Sequence, residues 1–301
     1  MNIINCIAKV VPQEAGLEGI YKQIEIAGRT CYKSEDKITE SSAKEFVDRM
    51  ISCGHLAMLE HGTVYLNIIP TNDKEDELIN LFIRNPYSRC KRLMSYDLGY
   101  AITTNYRVLY ENDALDALNY LHNESSVFDR RITVNLTTNI GVTREGNRHR
   151  VNSIAEESTR YCNYTTEKFG KEITICPEQS IQDLFSDSVI RGKYDMTRLV
   201  NYCGDVADDA DFNWNAIDFY LFSLLAAEYS YRNLIRLGWS PQRARGVLPL
   251  DTKTTVVYTA FVDDWEHWFD LRYFGTTGKP HPAMYEVARK LHDIFVELNI
   301  I

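Results

Sequence analysis

Residues 144–161 read Arg144-Glu145-Gly146-Asn147-Arg148-His149-Arg150-Val151-Asn152-Ser153-Ile154-Ala155-Glu156-Glu157-Ser158-Thr159-Arg160-Tyr161. Four arginines, one histidine, three acids and two adjacent hydroxyls crowd into this stretch, and no apolar face runs through its first half. A solvated surface helix usually carries more lysine. Arginine is preferred where a planar, permanently charged fork must hold phosphate or carboxylate at two points. Ser158, Thr159 and Arg160 set two hydroxyls and a guanidinium side by side, a compact anion site. Composition alone gives equal weight to a second reading, a charged loop laced with surface ion pairs.

The totals narrow the choice. The chain has 301 residues, 45% apolar and 25% charged, which suits one large globular domain or two small ones. Its net charge of −9 argues against general nucleic-acid binding, which needs a broad basic surface. A basic cleft in an acidic protein suits a small anionic ligand. Seven cysteines are scattered without a Cys-x-x-Cys pair, so neither a zinc site nor a disulfide framework is expected. A reducing, cytoplasmic location follows. Neither a signal peptide nor a membrane-spanning run is expected.

The elements follow from period and punctuation. Residues 2–10 alternate like a strand, and 14–28 read as a helix closed by Gly28. Ser41 and Ser42 introduce a helix to about Ser52, with Ala43, Phe46, Val47, Met50 and Ile51 on one face and Gly54 as its stop. Strand-like Thr63–Ile68 leads to a helix at 73–84, a strand at 101–110, a short helix at 113–121 and a strand at 131–138. Residues 161–169 read as loop, 172–175 as a short strand, and 178–209 as irregular, closed by the acidic run 205–211. The clearest helix is 212–237, where Ile217, Tyr220, Leu221, Leu224, Leu225, Tyr229 and Leu234 recur at threes and fours before Gly238. Ser240-Pro241 caps and opens another helix. A β-branched strand at 252–259 and helices at 265–271 and 282–298 complete the chain. Long helices mixed with strands in no regular βαβ order predict an α+β fold with a mixed sheet. No Gly-x-Gly-x-x-Gly is present, so a Rossmann site is not expected.

Arg148-His149-Arg150, then seven residues, then Ser158, resembles the signature of the flavin-dependent thymidylate synthase family, and the match continues through Arg160 and Tyr161. Weaker matches follow in the family's order. His55, Glu60 and His61 match a Gly-His-x-x-x-x-Glu-His stretch that lies against the flavin. Read without the family, these residues are polar groups at a helix end and turn, and their spacing is poor for a metal. Ala57 stands where the family often has a hydroxyl. Pro241 to Pro249 resembles a Pro-x-x-Ala-Arg-x-Val-Leu-Pro segment whose arginine, here Arg245, reaches the nucleotide phosphate. Without the family, Arg245 is a surface arginine near a helix end. His267 to Arg272 resembles the closing motif, with its histidine against the flavin and its arginine against the pyrimidine. Two departures stand out. Phe261-Val262-Asp263 replaces an Asn-x-Arg pair, so one cationic flavin contact is missing or supplied elsewhere. Glu145 lies where glutamine is common.

The resemblance implies a flavin-dependent thymidylate synthase-like fold in a single domain, residues 1–301, with an insertion at about 71–141. It implies reductive methylation of dUMP to dTMP, with methylenetetrahydrofolate as carbon donor, FAD as hydride carrier and NADPH as its reductant. Arg272 would be the catalytic residue. Arg148, Glu156, Glu157, Ser158, Thr159, Arg160, Arg245 and Arg272 would bind dUMP. His55, Glu60, Arg148, His149, Arg150, Glu156 and His267 would bind FAD. No metal is expected. A homotetramer sharing its sites among subunits is implied, with small molecules, not nucleic acid or membrane, as its other partners. Cys31 and Cys162 lie near the motifs, but nothing there activates a thiolate, and packed residues are the better reading. A flavin enzyme acting on another pyrimidine nucleotide, or a non-enzymatic nucleotide- or RNA-binding relative, remain as alternatives.

Overall fold

A computed structural model describes residues 1–94, 99–183 and 216–301. The fold is α+β, built on an antiparallel sheet of order β2-β6-β9-β7. Its strands are β2 (Ile7–Val10), β6 (Arg131–Asn139), β9 (Lys253–Phe261) and β7 (Ser153–Glu156). The two long central strands pair from Arg131↔Phe261 to Asn139↔Lys253. Alternation sends Val134, Leu136, Val256 and Tyr258 into a core beneath the helices Val262–Arg272 and Pro282–Glu297. Trp265, Trp268, Phe269, Leu291 and Phe295 fill it, all at most 1% exposed. The Trp265 indole donates to the Ile132 carbonyl at 3.1 Å, so this large ring brings its polar atom to a partner.

A second antiparallel sheet has the order β3-β5-β4, with β3 (Thr63–Ile68), β5 (Tyr100–Asn105) and β4 (Arg89–Arg92). It shares a core with α1 (Gly16–Tyr32), α2 (Ser42–Ser52) and α3 (Asp73–Arg84), through Ile20, Ile24, Phe46, Leu66, Phe82 and Ile102. The stretch 71–141 therefore divides. Its earlier part builds this second sheet and its cover, whereas residues 131–139 form a central strand of the main one. A short parallel pair, β1 (Asn2–Ile3) with β8 (Thr174–Ile175), completes the strands.

Several elements differ from expectation for local reasons. Gly28 does not end α1. It lies inside the helix where a Cβ would come within 2.4 Å of the Phe46 ring, and the stop is Lys33 in the left-handed region at φ 50°. The expected strand 101–110 breaks at Asn105, whose side chain accepts from the Val108 N–H at 3.1 Å and opens helix α4 (Tyr106–Glu111). The 2–10 strand is two strands separated by residues 4–6. The 113–121 helix is a 3₁₀ segment, Leu115–Tyr120. The long helix spans Ala216–Arg236 as described, and the acidic 205–211 run lies outside the described residues.

A polar layer joins the two halves. His61 Nδ1 lies 2.9 Å from the Thr259 hydroxyl, which meets the Thr133 hydroxyl at 2.8 Å. Burial holds the His61 imidazole neutral, with its pKa down to about 3. The buried Arg131 guanidinium donates to the Glu60 carbonyl, the Thr63 hydroxyl and the Ser153 hydroxyl.

Candidate active site

The 144–161 stretch is a helix end, a turn and a strand. Strand β6 runs out at Asn139, whose side chain accepts from the Val142 N–H at 2.9 Å and starts α5 (Ile140–Gly146). At Gly146 a Cβ would lie 2.5 Å from the Tyr258 hydroxyl, so only glycine lets the helix pass that ring. The Tyr258 hydroxyl donates to Asn147 Oδ1 at 2.7 Å, and Asn147 Nδ2 donates to Glu156 at 3.2 Å. Thr143 and Thr254 hydroxyls donate to the same carboxylate at 2.7 and 3.2 Å. Glu156 is thus fixed by three donors, without a cation among its hydrogen-bond partners. The turn carrying Arg148, His149 and Arg150 is tied to both central strands of the sheet.

One group of predicted residues assembles at this turn. His149 is buried, and its Nε2 accepts from Arg272 Nε at 3.1 Å. Burial, and then the neighbouring Arg272 charge, push the His149 pKa down to about 4. The ring is therefore neutral at ordinary pH and free to accept. Arg272 also donates to the Glu145 carbonyl at 3.0 Å and meets its carboxylate at 3.4 Å. The His267 ring packs edge-on to His149 with centroids 5.8 Å apart. A cleft of about 600 Å³ opens here, lined by Glu145, Arg148, His149, Arg150, His267 and Arg272, with Val151 and Leu271 as apolar wall. Arg148 and Arg150 are exposed, and among the described residues neither guanidinium has a hydrogen-bond or ion-pair partner.

A second group forms around Ser158. The Ser158 N–H donates to the Cys31 carbonyl at 3.0 Å, anchoring the stretch to the end of α1. Arg245 donates to the Thr159 hydroxyl at 3.3 Å, and Arg160 donates to Gln242 at 3.0 Å. Both contacts tie the signature to the Pro241–Val247 turn. Tyr161 packs on Tyr32, whose hydroxyl lies 2.6 Å from His55 Nδ1. Glu157 is buried against Lys253. Burial raises the Cys31 thiol to about 11 and the Cys162 thiol to about 12, so both stay protonated.

Not every predicted residue joins these groups. The Glu60 carboxylate is paired with Arg107 of α4 at 2.6 Å, and His61 sits in the polar layer on Thr259. The structure thus gives His55, Glu60 and His61 three different partners. Among the described residues, no hydrogen bond or ion pair joins the Arg272 group to the Ser158–Arg245 group. Asn147, Tyr258, Tyr32 and Lys253 belong to none of the sequence motifs. Asn147 stands beside Arg148 and carried a weak signal. Tyr258 and Lys253 carried none, because their partners lie about a hundred residues earlier in the chain.

The cleft suits a flavin nucleotide. Two unpaired guanidiniums supply donors for an anionic diphosphate, and a neutral imidazole with an apolar wall suits a planar ring. In the position of the missing Asn-x-Arg cation, Asp263 is paired with Arg89 of β4, which also lies over the Phe261 ring at 3.9 Å.

The family model described as thymidylate synthase complementing protein matches residues 67–298. None of the curated proteins matches. Two crystal structures of a UMP/dUMP methylase, PolB from Streptomyces cacaoi, are similar, both at 14% identity. The one bound with 5-Br dUMP is covered over 93% of its chain and 99% of this one, with a TM-score of 0.41. For the one bound with 5-Br UMP the coverages are 92% and 99% and the TM-score is 0.44. The signature turn and the extent of the family match lead to one assignment: the chain belongs to the thymidylate synthase complementing protein family, that of the flavin-dependent thymidylate synthases.

Proposed function

We propose that the protein converts dUMP to dTMP by reductive methylation, with methylenetetrahydrofolate as carbon donor, FAD as hydride carrier and NADPH as its reductant. The observation that carries this reading is the held arginine. Arg272 is fixed by a neutral His149 and by Glu145 at the wall of a cationic cleft.

C5 of a uracil ring is a weak nucleophile until negative charge is pushed into the ring. A fixed guanidinium at the N3–C4=O edge stabilises that charge, and Arg272 is pre-oriented to do so. The alternative, thiolate attack at C6, finds no support at Cys31 or Cys162, whose thiols stay protonated. Bound flavin supplies the hydride. Arg148, Arg150, His149, His267, Glu156, His55 and Glu60 are assigned to its binding. Ser158, Thr159, Arg160 and Arg245 are assigned to the nucleotide phosphate, and Glu156, Glu157 and Arg148 to the rest of dUMP. A homotetramer in which facing copies complete each site is part of this reading, as the resemblance implies. A cytoplasmic location agrees with the free cysteines.

A carboxylate beside Arg272 favours one second reading, a preference for another pyrimidine nucleotide, because Glu145 accepts hydrogen bonds and cannot donate them. The test is the visible spectrum of purified protein titrated with dUMP, dCMP and UMP. Flavin bands perturbed by dUMP first, and lost in Arg148→Ala, are expected. A protein that takes up no FAD and binds no dUMP would sink the assignment. Perturbation by dCMP or UMP before dUMP would select the second reading.

A further inference from the structure

Glu156 closes strand β7 opposite Val256 of β9. Side chains alternate along a strand, so Thr254 and Tyr258 flank Glu156 on one face of the sheet. Thr254 reaches the carboxylate directly, whereas Tyr258 reaches it through Asn147. Thr143 and Thr254 both donate to Oε1, at 2.7 and 3.2 Å. On Oε2 the one donor among the described residues is Asn147 Nδ2, at 3.2 Å. A carboxylate oxygen accepts at about two positions, so Oε2 keeps an acceptor position open. Glu156 is half-buried, and no cation neutralises it through a hydrogen bond.

Asn147 faces Glu156 in one sense. The Tyr258 phenol donates to Asn147 Oδ1 at 2.7 Å, which turns Nδ2 toward the carboxylate. The reversed amide would set oxygen against oxygen, acceptor against acceptor. Burial, and then the Glu156 charge, raise the Tyr258 phenol above its ordinary range, so it stays protonated and remains a donor. Tyr258, Asn147 and Glu156 form a chain of hydrogen bonds with a single direction. The chain also crosses the signature. Asn147 adjoins Arg148 in the turn, and Glu156 lies just ahead of Glu157 and Ser158. Its bond to Asn147 therefore ties together the two segments that carry the two groups of the candidate site.

We propose that Asn147, oriented by Tyr258, is a positioning residue for the nucleotide: it holds Glu156 so that the open acceptor position of Oε2 meets a donor of dUMP, and it sets the Arg148 turn against the strand leading to Ser158. The inference rests on the dUMP reading above, in which Glu156 contacts the nucleotide. Asn147 and Tyr258 themselves touch no ligand and act through Glu156.

The test is the dissociation constant of dUMP, from calorimetry on the full-length flavin-loaded protein between about pH 5.5 and 8. Each variant is taken as a ratio to the unmodified protein at the same pH, which cancels any titration the two share. Asn147→Leu is expected to weaken dUMP about tenfold at every pH. Asn147→Asp keeps the shape and the acceptor for Tyr258 but sets a second carboxylate against Glu156. It should weaken dUMP at least as much near pH 8 and recover as pH falls, when the pair takes up one proton and a donor is restored. The groups whose titration Glu156 shifts, Cys31, Tyr164 and Tyr258, are all raised and stay protonated over this range, and the nearby Arg272 guanidinium is permanently charged. A purely structural role would not return affinity with acid. Tyr258→Phe should weaken dUMP about threefold alone and add nothing to Asn147→Leu, because it acts through Asn147. It also covers the case in which the Asn147 variants do not fold. Unchanged affinity in these variants, a loss in Asn147→Asp that acid does not reverse, or additive losses would each overturn the proposal. Glu156→Ala separates the failures. If it weakens dUMP and the Asn147 variants do not, only the positioning role is wrong. If it leaves dUMP binding unchanged, the assignment of Glu156 falls with the positioning role, and if the unmodified protein binds no dUMP, the functional reading falls as well.

Discussion

At the scale of single residues, His149 is the one whose protonation state decides most. Its lone pair holds Arg272 only while the ring is neutral. In the unfolded chain the ring titrates near 6.5, and in the fold near 4. Between those values the unfolded chain binds the extra proton. The stabilising contribution of His149 is therefore complete above about pH 6.5 and is lost as pH falls toward 4. Thermal unfolding followed against pH should show this slope in the unmodified protein and a flatter one in His149→Gln. The same variant should lower turnover about a hundredfold through a misplaced Arg272. Gly146 gives a second prediction. Gly146→Ala drives a methyl into the Tyr258 hydroxyl and should cost about 1–3 kcal/mol in denaturant unfolding. Tyr258→Phe alone loses the bond to Asn147. Combined with Gly146→Ala it removes the clashing atom, so the double variant should be more stable than the two losses added together.

At the scale of elements, the Arg89 clamp shows how the second sheet is fastened to the Val262–Arg272 helix. Arg89 of β4 meets Asp263 and Asp264 in the first turn of the Val262–Arg272 helix. These are partly exposed pairs, so Arg89→Ala should cost only about 1 kcal/mol by chemical denaturation, and the reversed pair, Arg89→Asp with Asp263→Arg, should recover part of it. Elements whose signal is local were legible in the sequence. The helix at 73–84 and the Phe46 face of 42–52 are legible from local pattern and punctuation and stand where expected. The motif residues at 148–160 were legible because they are close in the chain. What stayed hidden depends on distant partners. The break at Asn105 turns on one side-chain cap. Nothing local in Arg131–Asn139 says that it pairs with a strand more than a hundred residues later and so belongs at the centre of the main sheet. Arg272, His149 and Glu145 could be nominated from motifs, but not their mutual hydrogen bonds.

At the scale of the whole molecule, the proposed homotetramer makes assembly part of the chemistry. Arg272→Ala and Arg245→Ala should each be inactive alone. Mixed oligomers of the two, refolded together, should regain dUMP turnover if one site draws the two arginines from different copies, and should stay inactive if each site uses one chain.

The long pairing of β6 with β9 also sets an order in time. The second core draws on residues that are all made early, from α1 to the 3₁₀ segment at 115–120. The main sheet must wait for β9, which ends at Phe261. On a ribosome the second core can close while β6 still lacks its long partner, so the strand edge later shielded by β9 is bare for the whole interval in which the intervening residues are synthesised. The threonines and asparagines along that strand, Thr133, Asn135, Thr137, Thr138 and Asn139, make it a poor template for stray apolar pairing during the wait.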